Sequence, residues 1–471
     1  MHASGSTLPV GNNFNKLFPE LETFEPPIEF LRELGAIDGI MDEGFGDDDS
    51  SISASIPAGF TFLGQFIDHD VTRDDESLEE VIDPVTGMSL RNIRTPVLEL
   101  DSLYGDGPDN SPEGMYRSED PDKFSFVGPR GFDPVPSSDQ VDDLPRMTNG
   151  AAIIGDNRND ENVIISQLHL AFLKFHNTVV DFVRRNRRVL EDGETVFDGA
   201  RRIVTWHYQW IVLDEYLPLT VGRNTVEDIL SNGRKFYTPQ GVSNVFMPLE
   251  FSVAAFRLGH SQVRNRFIIN DTVEKRLFDL SFFGPTPANS KIDWRYFFTI
   301  PPYQSPRFPQ FPQFSKKLDP KISKILLQLP LEIAEMRPLN LAVRNLIRGL
   351  NRGLASGQSV ARRMGYTPLT NEQLGIKDLS DKYSVEEAPL WFYILKEAEL
   401  QTNGDTLGEV GGRIVAETII GLLQEDPKSF LAARTNWRPF LPTFNGERNK
   451  FTMTDLITFV RDSTLPPTPR A

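Results

Sequence analysis

The stretch that decides the fold of this protein reads Gly64-Gln65-Phe66-Ile67-Asp68-His69-Asp70. Its four polar side chains stand inside an otherwise apolar segment that runs from residue 60 to residue 71. Because each residue of an α-helix turns the side chain by about 100°, Gln65, Asp68 and His69 share one helical face, while Asp70 points well away. We therefore expect one helix that serves two sites. The first would combine an amide, a carboxylate and an imidazole, and the second would use Asp70 alone.

The composition predicts a globular chain with a substantial core. The 471 residues could form one large domain or about three ordinary ones, and 39% of them are apolar. The 34 phenylalanines and 10 tyrosines suit an enclosed cavity with aromatic walls, and they suit an ordinary phenylalanine-rich core equally well. Composition therefore indicates a large core and leaves its use open.

The net charge of −17 is unevenly distributed along the chain. Residues 1–160 contain 33 acidic and 10 basic side chains and carry −23, so the remainder carries +6. Nucleic acids and anionic membrane surfaces bind positive patches, so we expect neither as a partner. The downstream arginines could meet the carboxylates of an anionic cofactor or form an ordinary solvated face. They are Arg257, Arg264, Arg266, Arg337, Arg344, Arg348, Arg352, Arg362 and Arg363.

The chain contains no cysteine. This excludes disulfides, thiolate zinc sites, iron–sulfur clusters and thiolate-ligated haem. No basic region followed by a long apolar run is visible at the N-terminus, so we expect no signal peptide. The chain has no run of about 18 uninterrupted apolar residues, so we expect no membrane span. We expect a soluble chain, secreted or not, and both the compartment and the oligomeric state stay open.

Hydrophobic periodicity predicts a mainly α fold, with one large helical domain, long loops and little β structure. Residues 1–56 are loop-like and should pack on the body as an arm, with residues 57–471 as the domain. A long buried helix is expected from Asn162 onward. Further helices are predicted at residues 200–216, 253–264, 322–335, 339–354, 388–400 and 411–424, with a turn at residues 359–364.

The six histidines differ in their sequence context. His2 lies in the arm, whereas three others lie within long apolar helices, where a hydrogen-bonded core histidine is expected. These three are His169, His176 and His207. His69 belongs to the polar patch, and His260 follows a glycine that permits close approach of a flat body. No zinc-protease pattern, phosphate-binding loop or serine-hydrolase elbow occurs in the chain.

Three further segments follow the opening stretch in order along the chain. They are Gly155-Asp156-Asn157-Arg158-Asn159-Asp160-Glu161, Phe256-Arg257-Leu258-Gly259-His260, and Asn345-Leu346-Ile347-Arg348 followed by Arg352-Gly353-Leu354. Together with residues 64–70 they resemble the motifs of animal-type haem peroxidases, the peroxidase–cyclooxygenase superfamily. The resemblance spans residues 60–355 and implies that family's mainly helical fold. The missing cysteines favour a bacterial-type member.

The resemblance implies a role for residues on each side of a haem. His260 would ligate the iron, and Asn345 would accept a hydrogen bond from the other ring nitrogen. On the opposite side, His69 would take a proton from one oxygen of the peroxide and return it to the leaving oxygen. Arg158 would stabilise developing negative charge, and Gln65 would order water or an anionic substrate.

The same resemblance implies how the haem is attached. Asp68 and Glu161 match positions that form ester bonds to haem methyl groups, so we expect a covalently linked haem b derivative. Asn162 stands where the strongest chloride oxidisers carry a methionine, so we expect no sulfonium link and weaker chloride oxidation. Arg257 and Arg348 could meet the haem propionates.

A calcium site is also implied, because Asp70 matches one of its ligands. The site is completed by a loop of pattern Thr-x-Phe-x-Asp-x-Ser before a Tyr-Gly pair, which residues 95–101 and Tyr104-Gly105 resemble. The expected ligands are Asp70, Thr95, the Val97 carbonyl, Glu99 and Asp101, all oxygen donors that suit Ca²⁺. Glu99 and Asp101 depart from the pattern and change its reach and charge.

The function implied is that of a haem peroxidase. It would reduce hydrogen peroxide through a ferryl intermediate and oxidise bromide, iodide, thiocyanate, phenols or similar small donors. One alternative is a fatty-acid dioxygenase of the same superfamily, which needs a tyrosine where this chain has Arg257. The other is a non-catalytic binding or adhesion protein that retains the fold and would give no haem absorption band.

Overall fold

The computed structural model describes residues 13–44, 51–73, 92–128, 142–279, 283–300, 311–331, 338–434 and 436–462. The acidic stretches at residues 47–49 and 74–83, together with His2 and the start of the expected arm, lie outside these ranges. The described α-helices are α1 Ile28–Leu34, α2 Gly59–Val71, α3 Asp101–Tyr104, α4 Val163–Arg185, α5 Val196–Ile211, α6 Leu217–Val221, α7 Arg223–Asn232, α8 Gly259–Gln262, α9 Lys324–Leu327, α10 Leu341–Asn351, α11 Gly357–Met364, α12 Asn371–Leu374, α13 Lys377–Tyr383, α14 Leu390–Thr402, α15 Glu409–Glu425, α16 Phe430–Ala433 and α17 Met453–Asp462.

Shorter elements join these helices. Two π-helical turns lie at Val212–Tyr216 and Glu250–Ala254, and 3-10 turns lie at Asn157–Asp160, Arg187–Val189, Val242–Asn244, Ala255–Leu258, Leu277–Asp279, Ala288–Ser290 and Trp294–Tyr296. The described strands are β1 Phe14–Asn15, β2 Ile52–Pro57, β3 Tyr116–Arg117, β4 Asp120–Phe124, β5 Met247–Pro248, β6 Arg266–Ile268, β7 Glu274–Arg276 and β8 Phe314–Lys316. They pair only as two-stranded ribbons, β1 with β5, β2 with β8, β3 with β4 and β6 with β7. The prediction of a mainly α fold with little β structure is confirmed.

Helix α4 is the central element of the core. It packs against α2, α5 and α17, and its side chains from Val163 to Val180 are buried. Asn162 caps its start by accepting hydrogen bonds from the backbone N–H groups of Ile164 and Ile165. Within the described part of the chain it is the one helix long and apolar enough to cross a membrane, and its most apolar window is buried inside the protein. Its last two residues, Arg184 and Arg185, are exposed.

Helix α2 contains the opening stretch and is buried along most of its length. Its close packing depends on Gly64, where an added Cβ would lie 2.5 Å from the Tyr216 hydroxyl. The helix ends where Thr72 adopts an extended backbone. The expected helix is therefore present, and its polar face meets the cavity described below.

The segment that contains His260 is less regular than expected. The sequence predicts one helix over residues 253–264, but the chain passes there from the π turn Glu250–Ala254 through the 3-10 turn Ala255–Leu258 into the short α8. Similarly, the helix predicted over residues 200–216 corresponds to α5, which ends at Ile211. The π turn Val212–Tyr216 follows it directly. The single-helix prediction for residues 253–264 is wrong because backbone hydrogen bonds change register there, which side-chain periodicity does not report.

The N-terminal part of the chain is more structured than a loop. Residues 13–44 include β1 and α1, and β1 pairs in parallel with β5. Nearby, the buried Glu250 carboxylate accepts hydrogen bonds from the backbone N–H groups of Leu17 and Phe18, at 2.8 and 3.3 Å. The loop-like prediction is corrected in this respect, since regular elements occur among the described residues of the segment.

The helix predicted over residues 322–335 is corrected as well. Within residues 322–331, α9 is helical at Lys324–Leu327, the chain leaves the helix at residues 328–330, and Leu331 is helical again. The rest of the predicted helix, residues 332–335, lies outside the described ranges. The remaining predictions are close to the structure. Residues 339–354, 359–364, 388–400 and 411–424 correspond to α10, α11, α14 and α15.

Candidate active site

A cavity of about 360 Å³ lies between α2 and residues 250–263. This volume falls within the range of about 300–1,000 Å³ that small-molecule pockets occupy. Predicted site residues that line it are Gln65, Asp68, His69, Arg158, Glu161, Arg257, His260 and Arg348. We call α2 with residues 157–162 the distal wall, and residues 250–263 with Asn345 and Arg348 the proximal wall.

His69 lies on the distal wall and is only 5% exposed. Its Nδ1 atom lies 2.8 Å from the Asn159 Oδ1 atom. Burial, together with the positive charge of Arg158, lowers the pKa of His69 to about 4. The imidazole is therefore neutral at pH 7 and can accept a proton.

Arg158 is fixed by several acceptors. Its Nη2 atom donates to the backbone carbonyls of His69 and Thr72, at 3.1 and 2.8 Å, and to the Asp156 carboxylate at 2.7 Å. Burial alone would raise the pKa of Asp156, but the hydrogen bond and charge of Arg158, with the charge of Arg94, hold it well below its usual range. A permanent positive charge is thus held rigidly beside His69.

Gln65 and Glu161 join the two parts of the distal wall, because the Gln65 side-chain amide donates to the Glu161 carboxylate. Burial raises the pKa of Glu161 to about 7, against the opposing influence of Arg158 and of this hydrogen bond. Asp68 accepts a hydrogen bond of 3.0 Å from the Thr72 hydroxyl. Two carboxyl groups therefore face the cavity from one wall.

His260 faces the cavity from the proximal wall, and its ring is partly exposed to that cavity. Enclosure by the protein lowers the pKa of His260 to about 3, and the charge of Arg257 acts in the same direction. The Nδ1 atom lies 2.7 Å from the Asn345 side-chain amide nitrogen. A half-turn of that amide exchanges its oxygen for its nitrogen, so that Nδ1–H would donate to oxygen and Nε2 would be free to ligate a metal.

Two arginines complete the proximal wall. The Nε atom of Arg257 donates to the Ser252 carbonyl at 2.9 Å, which fixes the start of its guanidinium, and Arg348 reaches the cavity from α10. Both remain cationic at any physiological pH. They could therefore balance the carboxylates of a bound anionic molecule.

The residues present fit a haem. A histidine ligand, cations for two propionates and apolar surface for a macrocycle all meet at one cavity, and the apolar surface comes from Phe14, Phe62, Leu249, Val253, Phe256, Val263, Leu277, Phe278, Leu326, Leu329 and Leu341. A Cβ atom added at Gly259 would meet no heavy atom within 4 Å, so there is open space directly beside His260. A flat group can approach the proximal wall there.

Asp70 lies away from this cavity. One carboxylate oxygen accepts a hydrogen bond of 3.2 Å from the Tyr208 hydroxyl, and the other is buried with no hydrogen-bond partner among the described residues. Burial raises the pKa of Asp70 well above its ordinary value, and the charges of Asp101 and Glu99 add to this effect. The buried carboxylate would therefore be stabilised by a nearby cation.

The loop of residues 95–101 provides only part of a metal site. Burial raises the pKa of Asp101 to about 6, and one of its oxygens also has no hydrogen-bond partner within the described ranges. Arg94 lies 3.4 Å from the other oxygen, and Arg201 lies 3.9 Å from Glu99. Across the described residues, no group of three or more histidine or acidic side chains is arranged to hold a metal ion.

The sequence interpretation missed three side chains of the site. Tyr216 reaches the cavity from a π turn, and Asn159 bonds His69. His169, interpreted as a core histidine, is buried and lies 3.0 Å from the Asn159 amide. The position of Asn159 directly after Arg158 was the available signal. Tyr216 gave none, because its direction depends on the π turn.

Comparison with known families supports the resemblance found in the motifs. A family model described as animal haem peroxidase matches residues 92–388, which is more than half of the chain. The match begins after residues 64–70, so it does not include the helix that contains His69.

Two curated relatives of this chain come from Drosophila melanogaster. Chorion peroxidase of Drosophila melanogaster is 27% identical over 285 residues, which cover 58% of this chain and 34% of that protein. Peroxidasin of the same organism is 26% identical over 260 residues, which cover 53% of this chain and 16% of that protein. The chain thus spans about a third or less of the length of these relatives.

Solved structures share the fold over almost the whole chain. Peroxidase A from Dictyostelium discoideum has a TM-score of 0.67 at 17% identity and covers 98% of this chain and 95% of its own. A fatty acid alpha-dioxygenase from Arabidopsis thaliana has a TM-score of 0.60 at 16% identity and covers 96% of this chain and 75% of its own. The shared fold therefore includes the distal wall, and it is common to two kinds of oxidoreductase.

Proposed function

This chain belongs to the animal haem peroxidase family, and on that premise we propose that it is a haem-dependent peroxidase that reduces hydrogen peroxide and oxidises small electron donors. The proposal rests on one observation, which is that His69, Arg158 and His260 line the same cavity. A neutral base and a fixed cation stand on one wall, and a neutral imidazole stands on the other.

The proximal wall would hold the cofactor. His260 would bind the iron through Nε2, Asn345 would fix the ring through Nδ1, and the guanidinium groups of Arg257 and Arg348 would pair with the propionates. On the distal wall, Asp68 and Glu161 would form ester links to the haem. When bound, the haem would supply the redox chemistry that cleaves the peroxide bond.

Residues of the distal wall would carry out the proton transfers. His69 takes a proton from one oxygen of hydrogen peroxide through Nε2 and returns it to the other oxygen, which leaves as water. Arg158 stabilises the negative charge that develops on the leaving oxygen, because its guanidinium is held in place before the reaction begins. Gln65, which donates a hydrogen bond to Glu161, orders the water or anion beside His69 and Arg158.

We propose bromide, iodide, thiocyanate and phenols as the donor class. The cationic Arg158 favours anions near His69, and the apolar walls admit phenols. Asn162 is occupied as the cap of α4 and offers no thioether for a third link to the haem, so chloride should be a poor donor. A fatty-acid dioxygenase is disfavoured, since Arg257 takes the place of the tyrosine that activity needs.

We also propose a calcium ion bound by Asp70, Thr95, the Val97 carbonyl, Glu99 and Asp101. Support comes from the two buried carboxylate oxygens of Asp70 and Asp101 that have no hydrogen-bond partner in the described parts of the chain. The ion would anchor α2 to the following loop. Residues 57–471 would form the peroxidase domain, with residues 1–56 as an arm packed on it.

A spectroscopic experiment tests the proposed function. Purified chain reconstituted with haem should give a Soret band, hydrogen peroxide should shift that band, and added bromide or guaiacol should restore it while being oxidised. A band that ignores peroxide would overturn the peroxidase proposal. Oxygen uptake with an unsaturated fatty acid, without any donor, would instead support the dioxygenase.

A further inference from the structure

Three buried side chains from three separate elements form a chain of hydrogen bonds behind the distal wall. His69 comes from α2, Asn159 from the 3-10 turn Asn157–Asp160, and His169 from α4. The Asn159 Oδ1 atom lies 2.8 Å from Nδ1 of His69, and the Asn159 Nδ2 atom lies 3.0 Å from Nδ1 of His169. Both Asn159 and His169 are 0% exposed, so water does not compete for these bonds.

A single amide between two imidazoles dictates opposite tautomers for them. The oxygen of a carboxamide only accepts hydrogen bonds, and its nitrogen only donates them. His69 therefore carries its proton on Nδ1, which leaves the Nε2 lone pair free. His169 accepts through Nδ1 and therefore carries its proton on Nε2.

From this geometry we infer that Asn159 and His169 are positioning residues that keep the proton of His69 on Nδ1. The inference rests on the proposed function, because it explains how His69 presents the unprotonated Nε2 that a base requires. Asn159 sets the tautomer of His69. His169 holds Asn159 in this orientation by accepting from its Nδ2 atom. An amide turned by 180° would reverse both tautomers and place the His69 proton on Nε2.

The surroundings of His169 favour a specific role over simple filling of the core. Its Nε2 atom is buried with no hydrogen-bond partner among the described residues, and its ring forms a T-shaped pair with Phe66, with 6.1 Å between the ring centroids. An unpaired buried polar atom costs free energy that an apolar side chain would avoid. An apolar residue at this position, however, would leave the Asn159 amide nitrogen unpaired and would remove the contact that holds the amide on that side.

The chain contains its own reference histidines for a test. Nδ1 of His207 lies 2.7 Å from the Ile203 carbonyl, so the proton of His207 is on Nδ1. Nε2 of His176 lies 2.8 Å from the Asp122 carbonyl, so the proton of His176 is on Nε2. Both rings are buried, and the chain has only six histidines in all.

The test is a ¹⁵N NMR spectrum of the full chain without haem, with labelled histidine, in which the two ring nitrogens report the tautomer directly. We expect His69 to match His207 and His169 to match His176. A His69 proton found on Nε2, or an equal mixture of the two tautomers, would overturn the inference. The measurement does not depend on haem or on activity, so it can succeed even where the proposed function fails.

Substitutions at position 159 separate positioning from packing. Asn159→Asp can only accept, so His69 should keep its proton on Nδ1 while His169 moves its proton from Nε2 to Nδ1. Asn159→Leu should release His69 into a tautomer mixture. Asn177→Leu is a matched control. It removes a different buried amide, one in α4 that forms hydrogen bonds with the backbone of Phe124, and it should leave the tautomers of His69 and His169 unchanged.

A kinetic readout completes the test on haem-loaded protein. The rate of reaction with peroxide should fall about tenfold or more in Asn159→Leu and recover most of that loss in Asn159→Asp. Unchanged tautomers and rates in a folded Asn159→Leu variant would overturn the inference. If that variant does not fold, the wild-type and Asn159→Asp spectra still decide it. Predicted tautomers without any peroxide reaction would leave the positioning of His69 intact and refute the peroxidase function.

Discussion

The two walls of the cavity are built in different ways. The distal wall is built on a regular helix, α2, whose Gln65 and His69 side chains form hydrogen bonds to Glu161 and Asn159. The proximal wall changes from π to 3-10 to α geometry around His260, whose side-chain partner on α10 is Asn345. The distal wall therefore fixes several groups relative to one another, whereas the proximal wall presents one imidazole beside open space.

This difference suggests a division of work. Proton transfer requires a base in the correct tautomer and a charged group fixed beside it. A helix hydrogen-bonded to a neighbouring turn provides both. Cofactor ligation requires one correctly turned imidazole and room for a flat group, which an irregular segment can provide. Substitutions of His69 and Arg158 on the distal wall should therefore change the reaction with peroxide, and substitutions on the proximal wall should change cofactor affinity. Asp68 and Glu161 are a separate case, because they are the proposed covalent links to the haem.

The largest expected effect belongs to the distal wall. His69→Leu removes the base, so the rate of reaction with peroxide should fall by about 10²- to 10⁴-fold while haem still binds. Stopped-flow absorbance of the reconstituted variant measures both. His207→Phe, a buried histidine outside the cavity lining, is the control and should keep the wild-type rate. A wild-type rate in His69→Leu would end the division of work proposed for the two walls.

The next effect belongs to the proximal wall. Asn345→Leu removes the partner of His260, and haem affinity should fall by about 10- to 100-fold, as it does when such partners of metal ligands are lost. A haem titration followed by absorbance measures the affinity. Asn159→Leu, the distal counterpart, should bind haem as the wild type does. Equal losses in the two variants would show that the walls do not act separately.

Covalent attachment of haem tests the two carboxylates of the distal wall. After turnover with peroxide, haem should stay with the wild-type chain in denaturing chromatography, and each of Asp68→Asn and Glu161→Gln should retain one link. The double variant should release its haem completely. Complete release of haem from the wild type would contradict the proposed ester bonds.

The smallest effect compares two glycines, one from each wall. At Gly64 an added Cβ would lie 2.5 Å from the Tyr216 hydroxyl, so Gly64→Ala should lower the free energy of unfolding by about 1–3 kcal/mol. At Gly259 an added Cβ would meet nothing within 4 Å, so Gly259→Ala should change it by less than about 0.5 kcal/mol. Urea denaturation of the chain without haem measures both values. A larger loss at Gly259 than at Gly64 would contradict the open proximal wall.

The same contrast explains which parts of the molecule the sequence could predict. Helix α2 agrees within one residue with the apolar segment 60–71, because helical periodicity reports a regular element. The segment around His260 was predicted as one helix and is not, since its turns change hydrogen-bond register without changing the side-chain pattern. Helix α9 is likewise only a short piece of the helix expected at residues 322–335.

The candidate site shows a similar limit. The motifs indicated residues from four distant segments, and the structure brings those on the two walls to one cavity, with Asn345 against His260. Their roles remain predictions. Asn159 and His169 were missed because their importance lies in a contact between separate elements, which spacing along the chain does not report. The family resemblance also does not predict that Asp101 lies beside Arg94 and Glu99 beside Arg201.

The most direct test of the central claim is a haem titration of the chain in which His260 is replaced by glycine. His260→Gly should bind haem weakly and without the wild-type Soret band, and added imidazole should restore that band by occupying the space the side chain leaves. Such a result would identify His260 as the ligand on the proximal wall. A wild-type band in His260→Gly without imidazole would place the cofactor elsewhere and contradict the account.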